Sequence, residues 1–186
     1  MVQAAENRGG GSGNRWRMVG WGLAAALLAL PAVAMRFTSE VVWTASDFVV
    51  MGVLFALVGG GLELVVRLST NWASRAGAAV AILTAFLTIW VNLAVGMIGS
   101  EDNPYNLVFL GVLAFALLGA MVARFRPAGT ARAMALTAAA QLVAAALGLS
   151  TDVRGAIFSA VFALLWLFSA GLFRKAADDQ KRPAAI

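Results

Sequence analysis

The stretch A-G-A-A-V-A-I-L-T-A-F-L-T-I-W-V-N-L-A-V-G-M-I-G-S, residues 76–100, carries no charged side chain from end to end. A helix rises about 1.5 Å per residue, so about 20 mainly apolar residues cross the roughly 30 Å hydrocarbon layer of a bilayer. This run is long enough to do so. Charge-free stretches of similar character occupy 18–35, 103–123, 133–151 and 155–173. A shorter one, 48–62, reaches spanning length only if Glu63 lies within it. The pattern predicts an all-α, six-helix transmembrane bundle with spans at about 18–35, 47–68, 76–98, 104–123, 132–149 and 155–173, forming one domain over 18–173. Residues 1–17, containing G-G-G-S-G, read as a flexible basic tail, and 174–186 as a charged tail.

Composition agrees with that reading. The 186 residues are 61% hydrophobic and 12% charged, and the mean hydropathy is +0.85. Soluble domains carry about 45–50% apolar and about 25% charged residues, so a soluble globular protein is excluded. The sequence has no cysteine and no histidine. Disulfides, thiolate nucleophiles, cysteine-ligated metals and Ser/His or Cys/His dyads are therefore absent from its repertoire. The two lysines, Lys175 and Lys181, sit in the C-terminal tail, which excludes a Schiff-base pigment inside the bundle. Titratable groups within the spans are so scarce that the chain reads as noncatalytic, without cofactor or metal.

Orientation follows from the basic residues, because cytoplasmic segments carry the excess. With both termini cytoplasmic, twelve of the fourteen Lys and Arg fall inside: Arg8, Arg15, Arg17, Arg67, Arg75, Arg124, Arg126, Arg132, Arg174, Lys175, Lys181 and Arg182. Glu40, Asp47, Glu101, Asp102 and Asp152 fall outside. The pI near 11.1 is thus a topology signal rather than a nucleic-acid footprint. Partners are the bilayer and either another membrane protein or a second copy of the chain.

Two ambiguities accompany this arrangement. R-W-R-M followed by an apolar run and P-A-V-A (31–34) has the form of a secretory signal with Ala32 and Ala34 before a cut; we take the segment as a retained first span. The odd spans each follow an Arg (Arg17, Arg75, Arg132; spacings 58 and 57) and the even spans each follow an acid (Asp47, Asp102, Asp152; spacings 55 and 50). Three tandem helical hairpins would give that punctuation, and so would any bundle obeying the charge rule with Ser and Asp caps.

Candidate functional residues form two sets. The first is an outer polar face of Asp47, Asn92, Glu101, Asp102 and Asn103, in which capping explains each acid singly but Glu101 and Asp102 together exceed one cap. The second is a path through the bundle. It uses Glu63 beside the Gly59-Gly60-Gly61 run, where a helix could break as in transporters, and the Thr84, Thr88, Asn92, Gly96, Ser100 stripe facing Thr137 and Gln141. The structural alternatives are an i,i+4 ion pair between Glu63 and Arg67, close helix contact at the glycines, and interhelical hydrogen bonds along the stripe.

M-R-F-T-S-E-V-V-W-T-A-S-D-F (35–48), W-V-N-L-A-V-G-M-I-G-S-E-D-N-P-Y-N (90–106) and, more loosely, A-R-F-R-P-A-G-T-A-R-A-M (123–134) resemble a family of small, uncharacterised bacterial inner-membrane proteins. The resemblance implies a multi-pass protein of the bacterial inner membrane and brings no activity with it. Two functions are expected from the whole: a noncatalytic binding or accessory subunit of a membrane assembly, or a small permease or channel for a cation or small solute.

Overall fold

The computed structural model describes residues 10–181; residues 1–9 and 182–186, at the ends of the two tails, lie outside the described residues. Among the described residues the regular structure is helical throughout. Its elements are α1 (Gly10–Ala34), α2 (Ala45–Leu68), α3 (Trp72–Ala94), a 3-10 turn (Pro104–Asn106), α4 (Leu107–Val122), α5 (Pro127–Gly148) and α6 (Val153–Lys181). With the 3-10 turn and α4 taken as one segment, Pro104–Val122, six segments are long and apolar enough to cross a membrane, so the chain is a multi-pass helical protein. Helices are the solution such a sequence must adopt, because a lipid-exposed backbone has to satisfy its own hydrogen bonds.

The chain divides into two compact units, 1–60 and 61–186. In the first unit α1 and the larger part of α2 approach through glycines. A methyl group on Gly59 would lie 3.0 Å from the Trp21 ring, and one on Gly52 would lie 3.7 Å from Leu28. Of the two readings of Gly59, Gly60 and Gly61, a helix break and close helix contact, the break does not occur, since α2 runs through all three without interruption. Breaking it in apolar surroundings would leave backbone groups unpaired. The glycines instead give close contact at Gly59 and Gly61, while Gly60 meets nothing within 4 Å.

The second unit is organised around α6. Antiparallel α5 and α6 share the largest interface, α3 packs on α6, and α4 packs on α5, whereas α3 and α4 meet only sparsely despite being neighbours in sequence. Close approach explains these pairings. Ser169 Oγ donates to the Gly77 carbonyl at 2.8 Å across the α6–α3 contact. Between α4 and α5, a Cβ on Gly119 would lie 2.9 Å from Ala133, and one on Gly129 would lie 2.7 Å from Ala123. Small residues let helix backbones touch where lipid offers no hydrophobic contrast to drive association. Met134, Ala138, Ala163, Trp166, Ala170 and Phe173 fill one half of the resulting core. Met97, Ile98, Phe109, Val112, Ala144, Ala156 and Phe162 fill the other.

Several boundaries differ from the sequence expectation. α3 ends at Ala94 rather than near 98, so Gly96 and Ser100 leave the polar stripe and enter a loop. α6 continues through Arg174 and Lys175 to Lys181, with Ala176 and Ala177 buried, so most of the charged tail is helix. α1 likewise begins at Gly10, inside the segment read as a flexible tail. α4 closes with Arg124 and Phe125 in the left-handed region (φ 52° and 55°). Their N–H groups return to the Met121 and Ala120 carbonyls at 2.8 and 2.9 Å, the Schellman arrangement that satisfies the last turn of a helix.

Candidate functional site

The polar residues of the second unit concentrate in two places, the α3–α4 loop (95–103) and the interior between α3, α5 and α6. The loop is built from glycine and two amides. Gly96 and Gly99 adopt φ of +76° and +73°, a conformation glycine reaches at little cost. Met97 and Ile98 between them turn inward and are buried. Their N–H groups donate to Asn106 Oδ1 at 3.1 and 2.9 Å, and Asn106 Nδ2 donates to the Ser100 carbonyl at 2.7 Å. Asn103 Oδ1 caps the 3-10 turn by accepting from the Tyr105 N–H at 3.0 Å, while its Nδ2 reaches the Ile98 carbonyl at 3.1 Å. The Tyr105 hydroxyl donates to the Ala144 carbonyl at 2.6 Å and ties the turn to α5.

Asp152 locks this loop to α6. Its Oδ1 accepts from the N–H groups of Arg154 and Gly155, both at 3.0 Å, which caps α6. Its Oδ2 accepts from the Gly99 N–H at 3.1 Å. The Gly155 N–H most, then the Gly99 N–H, hold the Asp152 carboxyl below the usual aspartate range; desolvation opposes them, and the Arg154 N–H and charge assist. Glu101 and Asp102 stand at the tip, exposed.

The remaining members of the expected polar face have local employment. Asp47 sits in the first turn of α2, not at its cap. Thr44 holds the capping position and donates from its N–H and its hydroxyl to Asp47 Oδ2 at 2.7 and 2.8 Å, a capping-box geometry. Asn92 Nδ2 donates back to the Thr88 carbonyl at 2.7 Å. The face is thus a pair of exposed carboxylates on a pinned loop, with Asn103 among its pins.

Along the expected path, Glu63 pairs with Arg67 at 3.3 Å, the surface i,i+4 geometry. The Thr84 and Thr88 hydroxyls donate to the Val80 and Thr84 carbonyls of their own helix at 2.7 and 2.8 Å. Both threonines are buried, as are Thr137, Gln141, Ser159 and Ser169. Gln141 Nε2 donates to Ser159 Oγ at 3.0 Å and to its carbonyl at 3.2 Å, bridging α5 and α6. Among the described residues, four buried side-chain polar atoms have no hydrogen-bond partner: Asn92 Oδ1, Thr130 Oγ1, Gln141 Oε1 and Trp166 Nε1.

Sequence reasoning did not single out Asn106 or Ser159. Asn106 stands in N-P-Y-N, where an amide before an apolar run reads as a simple helix cap; only the folded loop reveals its three bonds. Ser159 lies eighteen residues after Gln141, a separation a hairpin brings together but no local pattern marks. Among the described residues no three acidic side chains gather as a metal cluster would require. Compared with protein-family models, with curated proteins and with solved structures, the chain gives no match.

Proposed function

We propose that the protein is a noncatalytic accessory or binding subunit of a membrane assembly, and that the α3–α4 loop is its docking element. The observation that carries this reading is the pinning of the loop: Asn106, Asn103 and Asp152 hold its backbone from three sides, while Glu101 and Asp102 cap nothing and face solvent. A loop already fixed in one shape loses little conformational entropy when a partner binds. Two adjacent carboxylates select a basic segment as that partner. On the charge rule the loop lies on the outer side of a bacterial inner membrane, with both termini in the cytosol.

The test is copurification of the tagged full chain in mild detergent, with the double variant Glu101→Gln, Asp102→Asn beside the wild type. The expected result is a stoichiometric partner that the double variant loses while its melting temperature is unchanged. Solute flux in reconstituted vesicles that Glu63→Gln abolishes, with no partner retained, would overturn the reading. A small permease is the second reading, favoured by the buried hydrogen-bonding capacity that Gln141 and Trp166 leave unused.

A further inference from the structure

We propose that the interior between α3, α5 and α6 binds water at a site bounded by Gln141 Oε1 and Trp166 Nε1. Gln141 is wholly buried and directs its amide N–H groups at Ser159, which leaves Oε1 as an acceptor without a partner. Trp166 is 1% exposed, and its indole N–H is a donor without a partner. An unpaired donor and an unpaired acceptor are each costly in an apolar interior. One molecule that both accepts and donates satisfies the two together.

The helix geometry brings these atoms to one depth. The Gln141–Ser159 bond sets the register of antiparallel α5 and α6. Side chains lean toward the N-terminus of their own helix, so Gln141 leans toward Ala138 and Trp166 toward Ala163. In this register Ala138 and Ala163 lie near each other, and both belong with Trp166 to one packed cluster. On the third wall, the Ser169–Gly77 bond fixes the register of α3 against α6. Seven residues along from that bond, Thr84 on α3 comes level with Phe162 on α6. The Thr84 hydroxyl gives its hydrogen to Val80 and keeps its lone pairs to accept.

The guest is neutral. Among the described residues, the buried polar side chains are threonines, serines, an asparagine and a glutamine, with no charged side chain among them. An ion there would have no counter-charge, and the indole N–H would oppose a cation directly. A buried water makes two to four hydrogen bonds as a rule, and Trp166, Gln141 and Thr84 supply three. The site is independent of the Glu101 and Asp102 tip, and its test does not depend on any partner.

The experiment uses the full chain, labelled with nitrogen-15, in detergent micelles. The Trp166 indole resonance is identified by its loss in Trp166→Phe, and magnetisation transfer from water to that N–H is measured. The expected result is a clear water cross-peak for Trp166 despite its burial, and loss of that cross-peak in Gln141→Leu. Absence of the cross-peak in the wild type overturns the proposal, whether or not the variant folds. A cross-peak that persists unchanged in Gln141→Leu also overturns it, because the water would then be held by other groups.

Discussion

Asp152 Oδ2 accepts a hydrogen bond from the backbone N–H of Gly99, 53 positions earlier, at 3.1 Å. The other oxygen of the same carboxylate caps α6. A single side chain therefore fixes the start of one helix and the loop after another, and its charge matters to both.

That charge predicts an acid-side loss of stability. The folded chain holds the Asp152 carboxyl below its ordinary value of 3.8, mainly through the Gly155 and Gly99 N–H groups. A lowered folded value means the contribution is complete above the ordinary aspartate range and disappears as pH falls through the lower folded value. Thermal unfolding in detergent should therefore show the melting temperature falling below about pH 4. Asp152→Asn should melt lower than wild type at neutral pH and show a shallower acid-side decline. An identical decline in the variant would place its origin elsewhere.

Asn106 makes three bonds at a buried position, accepting from Met97 and Ile98 and donating to Ser100. Asn106→Ala leaves the Met97 and Ile98 N–H groups without partners, while the Ser100 carbonyl keeps its bond from the Asn103 N–H at 3.0 Å, and should cost about 2–5 kcal/mol. Asn106→Asp keeps the acceptor but turns a carboxylate oxygen on the Ser100 carbonyl, and should fall between wild type and Ala. Limited proteolysis would locate the damage, with new cleavage within 96–103 in both variants.

Glycines of the second unit should separate sharply under substitution by alanine. Gly96 has φ +76°, and a Cβ there would collide with the Ser100 carbonyl group. The left-handed conformation alone costs about 1–2 kcal/mol for a residue with a Cβ, and the clash adds to it. Gly155→Ala would press on Asp152 Oδ2 and the Met97 carbonyl, both at 2.5 Å. Gly111 of α4 meets nothing within 4 Å, so Gly111→Ala should be neutral or stabilise by up to about 1 kcal/mol. Melting temperatures of the three variants, measured side by side, check the order.

The number and approximate place of the helices were readable from the sequence because charge-free length is a direct consequence of bilayer thickness. Their ends were less so. Val95, Met97 and Ile98 are as apolar as any span, yet they belong to a loop whose side chains 97 and 98 are buried by protein; hydropathy does not distinguish those surroundings. Arg174 and Lys175 mark where a span should end, but a charge does not stop a helix, and α6 goes on to Lys181. At the start of α5 the better signal was Pro127, favoured at the first helical residue, rather than the exposed Arg132. At the site, the capping role of Asp152 was legible, because an acid stands there just before an apolar span. The loop-to-helix bond of Asp152 to Gly99 was not, because it depends on α3 and α6 packing together across the intervening helices.

Arg75 provides a test of what its positive charge does. The charge rule asks only that a cation stand at this end of α3, which lysine would satisfy equally. The folded chain uses the guanidinium more specifically: Nε donates to the Ser69 carbonyl at 2.6 Å and Nη2 to the Val66 carbonyl at 2.9 Å. Those carbonyls belong to the last turn of α2 and the residue beyond it, where helix acceptors lack internal partners. A lysine is a point donor that does not reproduce a planar fork, so Arg75→Lys should keep the topology but cost about 1–2 kcal/mol through the weakened cap. Arg132→Lys, at an exposed position on α5, should be within about 0.5 kcal/mol of wild type. Equal melting temperatures for the two variants would reduce Arg75 to a topological charge. A selective loss at Arg75, with reporter tags on the termini unmoved, would assign it the structural role.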